Sequence, residues 1–237
     1  MRAYFLTGTD TDAGKTLISA GLLALGRRHG LTTLGLKPVA SGCEASAAGL
    51  RNADALALQA QSHPAVAYAT VNPLAFAPAI APHLAARRAG VTLTQQRLVD
   101  WARPLLAEHR DLTLIEGAGG WRVPLNAHED LAGMAVQLGL PVLLVVGLRL
   151  GCISHARLTA EAIRADGLSL AGWIGSLVDS DFARDEALYR DNLATLEATL
   201  SAPCLGVVPR LACAAPGAMA VAAADFLTLP GALSDGN

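Results

Sequence analysis

The chain has 237 residues, enough for one large domain with a sizeable core. Hydrophobic residues make up 52% and charged residues 16%, a balance that excludes intrinsic disorder. The formal net charge is −2 and no run of Lys or Arg exceeds two, which argues against a nucleic-acid binder.

The first expected strand, Ala3–Thr7, runs into TGTDTDAGKT (residues 7–16), and a helix is expected over 15–28. A second strand, Thr33–Lys37, passes into KPVASG (37–42), and RNADAL (51–56) opens a helix over 52–61. Positions 39–93 are less regular, because Pro64, Pro73, Pro78 and Pro82 break any long element. They read as loops and short helices lying over a sheet and lining a site. A helix over 94–108 precedes the strand Leu112–Glu116, which ends in EGAGG. A helix over 128–138 leads to the strand Val142–Gly147 and to LRLGCISH (148–155). Then come a helix over 154–166, a strand Leu170–Val178, a helix over 182–200 and a strand Cys204–Val208.

Several of these strands are near-continuous in Val, Ile and Leu, as strands buried on both faces are. Alternation with helices predicts a single-domain α/β fold, a mainly parallel β-sheet flanked by helices on both faces, and the GKT turn between the first strand and helix makes it P-loop NTPase-like. The domain is expected over 1–232, with 233–237 as a frayed tail. The apolar stretch Leu140–Leu148 is too short to span a membrane and contains Pro141. Asp10 and Asp12 stand too early for a signal peptide. Cys43, Cys152, Cys204 and Cys213 show neither C-x-x-C spacing nor a zinc pattern, so reduced thiols in a cytoplasmic protein are expected.

Ligands of an open parallel sheet bind beyond the carboxyl ends of its strands. After the first strand, Gly14-Lys15-Thr16 ends like a P-loop, although Thr9 stands where the strict pattern wants Gly and Gly8 comes one place early. The loop backbone and helix N-terminus favour an anion. Lys15 can reach the β and γ phosphates, and the Thr16 hydroxyl can bind Mg²⁺. Glu116, closing LTLIE, suits a Walker B acid or a solvated loop acid. Asp54 suits a metal ligand, or else Asn52 or Asp54 is a simple N-cap. Lys37 closes a buried strand, so it must face solvent or a charged partner, phosphate or carboxylate. Ser41 fits a turn as well as a ligand. His83, His155 and Trp121, taken singly, read as structural.

Together these loops resemble dethiobiotin synthetase. The matching pieces are GTDTDAGKT (8–16), KPVASG (37–42), RNADAL (51–56), YATVNP (68–73), PH (82–83), EGAGGW (116–121), PVLLVVGLRLGCISHA (141–156) and LAGW (170–173), in the family's order and over most of the chain. The resemblance implies an ATP- and Mg²⁺-dependent ligase of biotin biosynthesis. In that reaction 7,8-diaminopelargonate takes up CO₂ as a carbamate, ATP phosphorylates the carbamate, and the second amine closes a cyclic urea. It implies Lys37, Lys15 and Thr11 as catalytic residues and Thr16, Asp54 and Glu116 as metal positions. Asp12, Ala13, Gly14, Lys15, Thr16 and Leu17 would hold the nucleotide, with Asp54, Glu116, Gly117, Ala118, Gly119, Ser176, Val208, Pro209 and Arg210. Thr11, Lys37 and Ser41 would meet the substrate, with Gly151, Cys152 and Ile153 holding its carboxylate tail from a partner subunit of a homodimer. One departure stands out: GWIGSLV carries Ser176 where many members have an adenine-reading Asn. A hydroxyl cannot make an amide's paired contact, so weaker base selectivity is expected.

The alternative is a P-loop switch ATPase of the partition or cell-division type. Those proteins carry a second lysine five residues before the GK lysine, where this chain has Asp10.

Overall fold

The computed structural model describes residues 2–212 and 216–231. Cys213 and the tail expected at 233–237 lie outside the described residues. β1 (Arg2–Gly8) leads to α1 (Lys15–Arg28) and β2 (Thr33–Leu36). A less regular stretch follows: β3 (Val39–Ala40), β4 (Glu44–Ser46), β5 (Gly49–Arg51), α2 (Ala53–Gln61), α3 (Tyr68–Val71), β6 (Leu74–Ala75) and α4 (Pro82–Arg88). Then come α5 (Gln95–Leu106), β7 (Leu112–Glu116), α6 (Ala132–Leu138), β8 (Val142–Leu148) and α7 (Cys152–Ala165). β9 (Leu170–Leu177), α8 (Glu186–Leu200), β10 (Cys204–Val208), α9 (Pro216–Ala223) and a short 3-10 turn (Ala224–Phe226) complete the order.

Six strands form one parallel sheet in the order β10-β9-β8-β1-β7-β2. Strand side chains alternate between its faces. Tyr4 and Leu6 of β1 pack with Ile18 and Leu22 of α1 and Leu58 of α2. Phe5, between them, points the other way and joins Leu98 of α5, Met134 of α6 and Trp121. Leu144 and Val146 of β8 extend that second face onto Ala156 of α7 and Leu196 of α8. Both faces are therefore covered, which explains the unbroken apolar runs. A fully buried leucine such as Leu22 contributes roughly 1.5–3 kcal/mol of transfer free energy.

β1 lies between β7 and β8, while the chain leaving β1 goes first to β2, on the far side of β7. The direction of travel along the sheet thus reverses at β1, and a crevice opens at the carboxyl ends there. The register aligns Leu6 with Glu116 and Gly8 with Val145, so β1 reaches past the end of β7 before its loop begins.

Helix starts differ from expectation where a side chain caps the first turn. Thr94 accepts from Arg97 N–H at 3.2 Å and Asp185 from Leu188 N–H at 3.0 Å, so α5 and α8 begin just after them. The helix expected over 128–138 starts at Ala132, because Asn126 Oδ1 binds the N–H groups of His128 and Glu129 and keeps them in a loop. Segment 39–93 holds more order than loops and short helices. It contains two small sheets, β3 with parallel β6 and β4 with antiparallel β5.

Candidate active site

The loop after β1 is fastened to the sheet at one end and open at the other. Thr9 N–H donates to Val145 C=O at 2.9 Å, and Thr9 Oγ1 accepts from Gly147 N–H at 3.3 Å. Thr9, the departure from the strict pattern, therefore anchors the loop to β8. Asp12 adopts φ 59°, a left-handed turn that aspartate tolerates. Gly14 is the N-cap of α1 at φ 88°, with no side chain capping the helix. The first-turn N–H groups and the helix dipole are thus left for an anion.

Gly14 is required twice over. Its φ suits only glycine, and a Cβ there would overlap Ser176 Oγ. Gly14→Ala is expected to weaken ATP binding by roughly 100-fold, on the order of 3 kcal/mol, while the sheet core stays folded. Calorimetric titration with ATP, alongside thermal melting, measures both.

Behind the loop sits a charged knot. Glu116, fully buried at the end of β7, accepts from Lys37 Nζ at 2.7 Å and from Thr16 Oγ1 at 2.8 Å through Oε1. Lys37 Nζ also reaches Asp54 Oδ2 at 3.0 Å and Gly117 C=O at 3.1 Å. Burial alone would push the Lys37 ammonium down, but the two carboxylates outweigh it and its pKa is raised. Asp54 moves the other way: burial opposes the shift, yet Lys37 holds its carboxyl below the usual range. For Lys15 the nearby carboxylates Glu116, Asp54 and Asp12 do not make up the difference. Burial, and then the charge of Lys37, lower its pKa. Its ammonium donates to Asp10 C=O at 2.8 Å, across the loop.

The open choice at the start of α2 resolves cleanly. Asn52 is the N-cap, accepting from Ala55 N–H at 3.2 Å, so Asp54 keeps its carboxylate for Lys37. Trp121 is structural: its ring meets Phe5 edge-on at 5.9 Å and its indole N–H donates to Asp166 at 2.7 Å. His155 is exposed on α7.

A cleft of about 900 Å³ opens over this knot. Thr11, Asp12, Gly14, Lys15, Thr16, Leu17, Lys37, Ser41, Asp54, Ala118 and Gly119 line it. Ala13, Glu116 and Gly117 are buried and are not among the lining residues. Ser176 lies buried under Gly14, and Val208 is in the core. Pro209 is half-buried, and exposed Arg210 donates to Val178 C=O at 3.5 Å. Gly151, Cys152 and Ile153 begin α7 and are not among the lining residues.

The sequence reading missed one wall. Ile80, Ala81, Pro82, Val123 and Pro124 make an aliphatic side to the cleft, with Arg122 at its edge. The expectation that positions 39–93 line a site covers Ile80, Ala81 and Pro82 without singling them out, since the surrounding prolines hide any periodicity, and nothing pointed to Val123 and Pro124.

Among the described residues no group of three or more His, Cys, Asp or Glu forms a metal cage. A Mg²⁺ ion needs less: one or two carboxylates, with substrate phosphates and water completing its shell. Glu116 Oε2 is buried and without a hydrogen-bond partner, beside the Thr16 hydroxyl and Asp54. That orphaned oxygen, in an all-oxygen donor set, fits a hard cation.

Comparison with known proteins supplies the wider setting. Residues 2–216 match the protein family described as an AAA domain. The chain is 72% identical over 235 residues to the ATP-dependent dethiobiotin synthetase BioD of Chromohalobacter salexigens, covering 98% of this chain and 99% of that one. It is 62% identical over 220 residues to the protein of that name from Pseudomonas aeruginosa strain UCBPP-PA14, covering 93% and 95%. Among solved structures, the MinC:MinD cell division complex of Aquifex aeolicus superposes with a TM-score of 0.56 at 12% identity, over 99% of this chain and 89% of that one. A ParA family ATPase from Chlorobium tepidum gives 0.53 at 13%, over 95% and 90%. At such low identity these two speak for the P-loop fold alone.

Proposed function

This chain belongs to the dethiobiotin synthetase family, and from that premise we propose how its cleft closes the cyclic urea. The protein is an ATP-dependent ligase of biotin biosynthesis. The observation that carries the proposal is the knot of Lys37, Glu116, Asp54 and Thr16 directly beneath a glycine-capped helix N-terminus.

ATP lies with its phosphates on the loop from Asp12 to Leu17. The carbamate of 7,8-diaminopelargonate lies between Thr11, Ser41 and Lys37. Both reactants are anions, so the main obstacle is their mutual repulsion. Lys15 and Lys37 are ammonium groups held in a half-closed site, where charge acts through little water. Thr16, Asp54 and Glu116 would hold Mg²⁺, which would supply further charge neutralisation on the phosphates. Phosphorylation of the carbamate oxygen gives a mixed anhydride. The second amine attacks its carbonyl carbon, phosphate leaves, and the ring closes. Positioning supplies much of the rate, and no covalent nucleophile is needed.

The switch-ATPase alternative is not favoured. Asp10, at the position of the switch lysine, is paired with Arg149. The discriminating experiment measures ADP release. Release that rises only when diamine and bicarbonate are both present supports the ligase. Stimulation by DNA or lipid vesicles instead contradicts it.

Two finer readings belong to the same proposal. The substrate's carboxylate rests on Gly151–Ile153 of a partner subunit. Gly151 caps α7 at φ 94° without a side-chain bond, and Leu150 and Leu158 beside it are 81% and 62% exposed. Such apolar exposure suits burial in a homodimer. Sedimentation is expected to give a dimer; a fully active monomer would refute the shared site. The setting is cytoplasmic, in keeping with free Cys43, Cys152 and Cys204. No helix among the described residues is long and apolar enough to cross a membrane.

Ser176 bears on the nucleotide base. Buried beneath Gly14, it offers a short hydroxyl where an amide would be needed. Initial rates with ATP, CTP and GTP are expected to differ by about tenfold or less, against the 10⁴–10⁵ of a dedicated hydrogen-bonding pocket. A preference for ATP above roughly 10³ contradicts this.

A further inference from the structure

The segment YATVNP (68–73) has no part in the reaction as described, yet its side chains grip the site from behind. Tyr68 opens α3. Its hydroxyl accepts from Asn52 N–H at 2.8 Å and donates to Asn72 Oδ1 at 3.0 Å. Asn72 is buried, and its amide nitrogen donates to Lys37 C=O at 2.7 Å and to Leu74 C=O at 3.3 Å. Both amide hydrogens and the amide oxygen are thereby used, which fixes the side chain's orientation. Lys37 N–H completes the clasp by donating to Val71 C=O at 2.8 Å. Both backbone groups of Lys37 are thus held by this one segment.

The other end of the network is the start of α2. Asn52, whose N–H the phenol binds, caps the helix two residues before Asp54. The Arg51 guanidinium lies over the Tyr68 ring, 4.2 Å from its centre, and steadies the phenol. A single hydroxyl therefore bridges the stretch that carries Lys37 and the stretch that carries Asp54. These two side chains meet at 3.0 Å in the site. Asp54 is the freer partner, with 43% of its side chain exposed against 5% for Lys37. Its stance depends on where the helix start is held.

We propose that Tyr68, acting with Asn72, is a positioning residue for the reaction: it sets the separation of Asp54 and Lys37. The phenol itself touches neither ATP nor diamine. This inference rests on the ring-closure reading above.

The test is a double-mutant cycle of Tyr68→Phe and Asp54→Asn, assayed for dethiobiotin formation with thermal melting alongside. Both substitutions conserve shape, so the fold is kept. Tyr68→Phe is expected to lower kcat about 10- to 100-fold. KM for ATP should change less than kcat, because most of the phosphate contacts come from the loop Asp12–Leu17, to which the Tyr68 and Asn72 side chains do not hydrogen-bond. In the Asp54→Asn background the same change is expected to cost less than about twofold, since its target is already gone. A crystal structure of Tyr68→Phe gives a readout without turnover, with Asp54 withdrawn from hydrogen-bonding distance of Lys37. Unchanged kcat, equal losses in both backgrounds, or an intact ion pair in that crystal overturns the positioning role and leaves the reaction standing. A wild-type protein that forms no dethiobiotin overturns the reaction, and the positioning role with it.

Discussion

Lys37→Met is expected to lower ring closure by about 10³-fold or more and also to destabilise the fold by roughly 3–5 kcal/mol. The two losses have different origins. The rate falls because the ammonium facing both anionic reactants is gone. The stability falls because Glu116 is fully buried and would lose the ammonium that contacts it at 2.7 Å, leaving the Thr16 hydroxyl as its hydrogen-bond donor. Removing one member of a buried ion pair is far costlier than never having had the pair. For a domain of this size the melting temperature should drop by on the order of 10 °C. The account makes a sharper demand on the double variant. Lys37→Met with Glu116→Gln removes both charges, so much of the lost stability should return while activity stays absent. A double variant less stable than Lys37→Met would show that Glu116 is not the source of the loss. The pH dependence has a definite sign. A lysine whose folded pKa is raised contributes stability that is fully present below its unfolded value of about 10.4. That contribution is lost only as pH rises through the higher folded value. The Lys37 pair therefore stabilises the protein at neutral pH and lets go on the alkaline side.

Lys15→Met should separate activity from stability. On the proposed placement of ATP its ammonium meets the phosphates, and removing such a preorganised charge costs about 10²–10³ in kcat. Yet Lys15 is buried, its pKa is lowered by burial and by Lys37, and its hydrogen bond runs only to a backbone carbonyl. A lysine with a lowered folded pKa costs stability once pH falls below its unfolded value of about 10.4, and the cost grows until pH passes below the folded value. The methionine variant should accordingly melt at or above the wild-type temperature at pH 7 while losing nearly all activity. The site holds one lysine for which the fold is well prepared and one that waits for its anion. Equal destabilisation by Lys15→Met and Lys37→Met would contradict this division.

Much of the frame could be read from residues alone. The strands announced themselves because the sheet is parallel and covered on both faces, leaving runs such as Val142–Gly147 nearly free of polar residues. The phosphate loop was legible because its chemistry is local: strand, turn, Gly14-Lys15-Thr16, helix. The knot was legible only in pieces. Lys37, Asp54 and Glu116 are far apart in sequence, and each alone has an ordinary explanation as a strand end or a cap. Only the register of β2 with β7, which sets Leu36 against Ile115, and the capping of α2 by Asn52 bring them together. Segment 39–93 stayed obscure because its order comes from two-residue strands and buried amides such as Asn72, which leave no periodic trace. The aliphatic wall around Ile80 was hidden for the same reason. Thr9 looked like a fault in the phosphate motif; in the fold it is the residue that ties the loop to β8.

The central claim is that this cleft joins CO₂ to a diamine at the expense of ATP. It is tested most directly by incubating the purified protein with ATP, Mg²⁺, ¹³C-labelled bicarbonate and 7,8-diaminopelargonate and weighing the products by mass spectrometry. The account predicts dethiobiotin with the label in its ureido carbon, one ADP and one phosphate released per ring closed, and none of these without the diamine. ATP turnover that is indifferent to the diamine, or dethiobiotin without the label, would contradict it.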